Sequence, residues 1–252
     1  MSGAMDVDEQ NRQGRTKLHR ACIAGSSQRV EELLANNATV DLEDPTGDTG
    51  LKMAAHTGAF VVMKLLIGAK ADTNHQNKYG YSVLHSIAGS AKPTPKNYRT
   101  RSHAACVNVL IEAKVDVNIQ DGRGNTPLSS YHNNEGSLEF SKMMIHANAD
   151  VNIQNKIGRT ALLSACESGS VAKARLLLEA KADVNHQDKD GWASLHWACR
   201  FGNAECVRLL IKSKADVHLQ EKKGRTGLTL AAWKGQLECL KLMIDAKADV
   251  NH

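Results

Sequence analysis

Residues 188–199 read Asp188-Lys189-Asp190-Gly191-Trp192-Ala193-Ser194-Leu195-His196-Trp197-Ala198-Cys199. A polar turn closing on Gly191 runs into a short apolar segment, and Gly202 then turns the chain. Beyond it, Cys206-Val207-Arg208-Leu209-Leu210-Ile211 sets Leu and Ile at helical spacing, so the stretch encodes two helices. The unit ends Ala215-Asp216-Val217-His218 and a new polar turn begins. Glycines equivalent to Gly191 stand at Gly14, Gly47, Gly80, Gly124, Gly158 and Gly224, in steps of 33, 33, 44, 34, 33 and 33 residues. A period of this length means stacked units sharing one elongated core, each touching only its neighbours.

The bulk composition fits such an array. Of the 252 residues 42% are hydrophobic but only 4% aromatic, so small and aliphatic side chains must do the packing. No apolar run reaches the roughly 18 residues that a transmembrane helix needs. Residues 1–10 carry Asp6, Asp8 and Glu9 without an apolar signal segment, and read as a disordered leader. A cytoplasmic or nuclear location is expected. The formal net charge of +5 favours acidic partners slightly and does not by itself argue for nucleic acid.

Turn chemistry repeats in phase with the glycines. Thr16, Thr49, Ser82, Thr126, Thr160 and Thr226 precede the first helix, where a hydroxyl can accept from free backbone N–H groups. Pro127 follows Thr126 at a position where its missing N–H costs nothing. Gly25, Gly58, Gly169, Gly202 and Gly235 fall where the first helix should end left-handed.

These residues closely resemble the ankyrin repeat family, whose pattern runs G-x-T-P-L-H-x-A-A and ends A-D-V-N. The ending is carried by Ala71-Asp72-Thr73-Asn74, Val115-Asp116-Val117-Asn118, Ala149-Asp150-Val151-Asn152, Ala182-Asp183-Val184-Asn185 and Ala248-Asp249-Val250-Asn251. The resemblance implies an all-α solenoid of helix-turn-helix units with β-turn fingers and a concave groove. Repeats are expected at about 11–43, 44–76, 77–120, 121–154, 155–187, 188–220 and 221–252. It also implies that His19, His85 and His196 hydrogen-bond backbone between neighbouring repeats.

Several departures carry information. Where the family has Gly after the second helix, this chain has Asn37, Lys70, Lys114, Asn148, Lys181, Lys214 and Lys247. A Lys there should cost up to about 1 kcal/mol if φ stays positive. The lysines also form a basic line along one edge, or simply a solvated one. Repeat 6 has Ala193 in place of the capping Thr. Repeat 3 holds eleven extra residues, read as an inserted loop over 91–101 with Pro93 and Pro95 barring helix. Lys92, Lys96, Arg99 and Arg101 make that loop basic, fit either for an acidic partner or for plain surface. Repeat 4 has one extra residue near Asn133-Asn134-Glu135-Gly136. At one end Arg29 and Glu32 suit a solvent-facing cap. At the other, Leu237, Leu240, Leu242, Met243 and Ile244 keep the internal pattern, as in a segment of a longer protein or an end covered by a partner.

The six cysteines occupy two repeat positions, Cys22, Cys166 and Cys199 on first helices and Cys106, Cys206 and Cys239 on second helices. With no C-x-x-C pair they read as core fillers in a reducing compartment. No metal, nucleotide or nucleophile motif appears, and no catalytic residue, metal or cofactor is expected.

The aromatics are the sharper signal. Trp192, Trp197 and Trp233 all lie in repeats 6 and 7, with Phe201 nearby. The family pattern sets Trp192 and Trp233 on the groove, alongside Arg200, Lys222, Lys223, Arg225 and Lys234. Trp and Arg together are the composition of a binding hot spot, with inter-repeat packing as the alternative. Tyr79, Tyr81 and His56 hold equivalent positions in repeats 2 and 3, which would extend the surface along the chain. The stretch Leu177–Asn185 further resembles ankyrin segments modified by the asparaginyl hydroxylase that inhibits hypoxia-inducible factor, which implies Asn118, Asn152 and Asn185 as hydroxylation sites or else as turn braces.

The expectation is a monomeric, non-catalytic scaffold holding an acidic or mixed-charge protein. Alternatives are a regulatory segment of a larger enzyme or channel, and a polyanion binder using the basic edge and loop. The 27 acidic residues spread through the same repeats weigh against nucleic acid.

Overall fold

The computed structural model describes residues 6–90, 98–129 and 135–250. Among them are thirteen α-helices and one 3-10 turn, and an isolated antiparallel bridge joins Gln187 and Ala193. The chain divides into two compact units, residues 1–123 and 124–252.

The first unit contains α1 (Lys17–Ala24), α2 (Ser27–Ala35), α3 (Gly50–Thr57), α4 (Phe60–Gly68), α5 (Val83–Ser90) and α6 (Tyr98–Glu112). The second opens with the 3-10 turn Pro127–Ser129 and α7 (Glu135–His146). It continues with α8 (Ala161–Glu167), α9 (Val171–Glu179), α10 (Ser194–Phe201), α11 (Ala204–Lys212), α12 (Gly227–Lys234) and α13 (Leu237–Asp245). Within each unit, first helices stack on first helices (α1, α3, α5; α8, α10, α12) and second on second (α2, α4, α6; α7, α9, α11, α13). This is the all-α repeat solenoid that the periodicity predicts.

Apolar residues at one repeat position weld the rows. Leu18, Leu51 and Leu84 are buried in the first unit, and Leu162, Leu195 and Leu228 in the second. Burial of each such side chain contributes about 1.5–3 kcal/mol. All six cysteines are buried free thiols. Burial pushes the Cys22 and Cys106 thiols up to about 12, so neither is a thiolate near neutrality.

Helix starts follow the capping logic in part. The hydroxyls of Thr16, Thr126 and Thr226 accept from the N–H groups of His19, Ser129 and Thr229 at 3.2, 3.2 and 3.3 Å. Thr49 and Thr160 make no such bond, contrary to expectation. Repeat 6 has no capping hydroxyl, but a histidine ring ties the start of its helix: His196 Nδ1 accepts the Ala193 N–H at 2.9 Å while its Nε2–H donates to Leu219 O at 2.9 Å. His19 does the same between Thr16 N–H (3.0 Å) and Leu42 O (2.9 Å). Both rings must therefore be neutral, and desolvation holds both below the usual imidazole range despite nearby carboxylates.

Fingers are fixed by a signal the sequence reading overlooked. Three residues before each turn glycine stands Asn11, Asp44, Asn77, Asp121, Asn155, Asp188 or Glu221. Their side-chain oxygens accept from backbone two residues on, and in most repeats four residues on as well, closing the finger on itself. Gly158 shows why the turn demands glycine: its φ is +82°, and a Cβ there would stand 2.7 Å from Lys189 N in the following finger.

The insertion differs from expectation. Tyr98, Arg99, Thr100 and Arg101 belong to α6 rather than to a loop, because neither Pro nor Gly occurs between Lys96 and Ala104 to stop the helix from extending upstream. Lys92 and Lys96 lie outside the described residues, as do Asn133 and Asn134; Glu135 and Gly136 open α7. Residues 6–10, counted with the leader in the sequence, bond to repeat 1. The Asp8 carboxylate accepts from Thr39 N–H at 3.0 Å and from its hydroxyl at 2.5 Å, and Asp6 O accepts from Lys17 Nζ at 3.2 Å. Arg29 and Glu32 are exposed and paired at 2.7 Å, as a solvent-facing cap requires. No helix among the described residues is long and apolar enough to cross a membrane.

Candidate functional site

In the second unit the fingers and the ends of the first helices bring aromatic rings and cations together. Arg159, Trp192 and Arg225 hold the same place in successive fingers, one residue past the turn glycine. Trp197, Arg200 and Phe201 come from α10, and Trp233 and Lys234 from the end of α12.

Trp192 is not the groove-facing anchor that the sequence suggests. It is only 7% exposed, enclosed by Trp197 (ring centroids 4.6 Å apart), His196 (6.0 Å) and the guanidiniums of Arg200 (5.3 Å) and Arg225 (5.5 Å). Trp233, by contrast, is 62% exposed, with Lys234 Nζ 4.1 Å from the ring centroid and the Arg225 guanidinium 5.7 Å away. Phe201 is 49% exposed and stacks on Trp197 at 6.0 Å with 9° between planes. Cation–ring contacts of this kind contribute about 0.5–2 kcal/mol each, depending on desolvation.

Arg159, absent from the sequence-based site, completes the cluster. Its guanidinium lies 4.0 Å from the Trp197 centroid and pairs with Glu167 at 2.9 Å and Asp188 at 3.7 Å. Its place in the same finger file as Arg225 was the available clue. Arg225 pairs with Glu221 at 2.9 Å. Burial would raise the Glu221 pKa, but hydrogen bonds from the Arg225 side chain and backbone and from the Lys223 N–H outweigh it and keep the carboxyl below its ordinary value. Lys222 and Lys223 are exposed on the finger, and the Lys222–Asp190 pair at 3.6 Å is exposed on both sides, worth at most about 1 kcal/mol.

In the first unit Tyr79 and Tyr81 are 63% and 38% exposed, with centroids 6.5 Å apart. Lys52 Nζ, paired with Asp48 at 2.6 Å, lies 5.9 Å from the Tyr81 centroid. His56 is exposed. Arg99 and Arg101 have their backbone in the first turn of α6. The asparagines of the repeat endings brace fingers. Asn152 Oδ1 accepts from Asp183 N–H and Asn185 Oδ1 from Asp216 N–H, both at 2.8 Å, and the Asn118 N–H donates to Asp116 at 2.8 Å.

A model of the ankyrin repeats matches residues 3–77, 98–188 and 174–252 of this sequence. The chicken nuclear factor NF-kappa-B p105 subunit is 32% identical over 117 residues, 45% of this chain and 11% of that protein. A mouse B-cell lymphoma 3 protein homolog is 29% identical over 128 residues, 50% of this chain and 26% of the relative. The chain thus spans only a minor part of these relatives. Among solved structures, the human ASB11 ankyrin repeat domain superposes with a TM-score of 0.74 over 92% of this chain and 98% of that one. The ankyrin repeat domain of Bcl-3 gives 0.75 over 92% and 99%. Both are 24% identical in sequence, a likeness of fold.

Proposed function

This chain belongs to the ankyrin repeat family, and we propose that it is a non-catalytic scaffold whose second unit holds an acidic or mixed-charge protein partner. Trp233 is the anchor, Arg200, Phe201, Arg225 and Lys234 surround it, and Lys222 and Lys223 steer and rim the site. Trp192 serves from beneath by holding Arg200 and Arg225 in place. The observation that carries the reading is Trp233 itself: a large ring 62% exposed, flanked by two cations. Leaving that area in water forgoes burial that a partner would supply. A surface already ordered by its own ring and ion contacts avoids much of the entropic cost of association. Tyr79 and Tyr81 offer a smaller surface of similar chemistry on the first unit.

Affinity capture from cognate lysate, with and without nuclease, tests this reading. A protein retained by the native chain and lost by Trp233→Ala identifies the partner and its site, with at least about thirtyfold weaker binding expected for a hot-spot tryptophan. Retention by both chains refutes the assignment. Binding that vanishes with nuclease replaces it with a polyanion site.

A further inference from the structure

Three arginines of the second unit lie over aromatic rings, and two of them follow one pattern. Arg159 covers Trp197 and holds Glu167 and Asp188; Arg225 covers Trp192 and Trp233 and holds Glu221. In each case the guanidinium carbon lies within 6 Å of a ring centroid while an N–H group meets a carboxylate. Arg200 has the first half of the pattern only. Its guanidinium carbon lies 5.3, 5.7 and 5.7 Å from the centroids of Trp192, Trp197 and Phe201, and among the described residues no carboxylate comes within 4.0 Å of it. The residue is half-buried in the last turn of α10, among these three rings and next in sequence to exposed Phe201.

We infer that Arg200 is the carboxylate receptor of this surface: it takes, through two parallel N–H···O bonds, an Asp or Glu side chain from an acidic segment of a protein partner. The inference rests on the scaffold reading above and names its central contact. A guanidinium fork matches a carboxylate in geometry as well as charge, and one held over rings loses less freedom on binding. Charge complementarity selects the occupant. The side-chain cations of Arg200, Lys234 and Lys223 meet no carboxylate within 4.0 Å among the described residues, so the patch keeps positive charge beside apolar rings. An acidic segment with apolar residues interleaved satisfies both.

The test uses the full chain and three probes: a capped decapeptide alternating Glu and Leu, its Gln and Leu counterpart, and single-stranded oligothymidylate of equal length. Binding is followed by tryptophan fluorescence and calorimetry at about 0.1 M salt. The Glu peptide is expected to bind at least about tenfold more tightly than the Gln peptide, and Arg200→Lys to remove about that factor while keeping the charge. Arg200→Gln should remove more. Thermal unfolding of Arg200→Lys close to native shows that the loss is one of recognition. Equal binding of the Glu peptide by native and Arg200→Lys chains overturns the inference, as does failure of that peptide to bind. If both peptides bind alike and Trp233→Ala abolishes binding, the carboxylate receptor is wrong and the scaffold reading stands. If binding ignores both positions, both readings fall. Tighter binding of oligothymidylate than of the Glu peptide assigns the patch to nucleic acid instead.

Discussion

Two of the places where the backbone turns left-handed recur in all seven repeats, and the chain treats them in opposite ways. In the fingers the residue is glycine in all seven repeats, with φ between 68° and 82°. After the second helix it is never glycine: Asn37, Lys70, Lys114, Asn148, Lys181, Lys214 and Lys247 have φ between 57° and 68°. The dihedral demand is similar, but at Gly47, Gly80, Gly124, Gly158 and Gly191 the backbone of the following finger stands where a Cβ would go, while Gly224 faces open space. At Gly158 a Cβ would run into the backbone of the next finger, whereas the residues after the second helices are all exposed, where a side chain meets only water. Steric exclusion by backbone is absolute; dihedral strain in solvent is a tolerable cost of up to about 1 kcal/mol.

That contrast can be broken at its strong end first. Gly158→Ala should lose about 3 kcal/mol, since strain and a backbone collision act together, and urea unfolding will measure it. A loss under about 1 kcal/mol would mean that the fingers can separate. Next comes His196→Ala, which leaves the Ala193 N–H and Leu219 O buried without the ring that joins them, at a cost of about 2 kcal/mol. The same rings make the finger layer pH-sensitive. Because His19 and His196 titrate below 6.5 when folded, the unfolded chain binds more protons. Their contribution is intact above pH 6.5 and falls away as the pH drops through the folded values. A thermal midpoint rising between pH 6 and pH 5 would contradict the neutral bridging role. Lys214→Gly reverses the sign: relief of strain should exceed the entropy that glycine adds to the unfolded chain, giving a gain of about 0.5 kcal/mol. The smallest effect belongs to Trp233→Ala, within about 0.5 kcal/mol of native by the same unfolding measurement, because the ring stands mostly in solvent.

How much of this could be read from sequence depends on the range of the interaction. The two-helix unit, the glycine ends and the non-glycine left-handed residues are local matters of spacing and backbone preference, and the structure has them where the spacing places them. The burial of Trp192 is not local, since it depends on arginines eight residues later and one repeat away that lay their guanidiniums over the ring. Arg159 was missed for the same reason: its ring partner, Trp197, lies 38 positions on in the sequence. The extension of α6 upstream was legible in the absence of a breaker after Pro95, but the length of the insertion argued more loudly for a loop. Of the two tryptophans that the repeat pattern sets on an open face, Trp233 is exposed and Trp192 is not; Phe201, nearby in sequence, is exposed as well.

The asparagine bridges between fingers have a consequence for kinetics. Within the second unit the Asp183 N–H is held by Asn152 and the Asp216 N–H by Asn185, each from the preceding repeat. Both bonds lie at the surface, so deuterium exchange at these amides requires the asparagine side chain to let go, either by rotating away or by adjacent repeats parting. Their exchange rates therefore act as gauges built into the chain, reporting repeat by repeat how firmly the asparagine of one repeat holds the next.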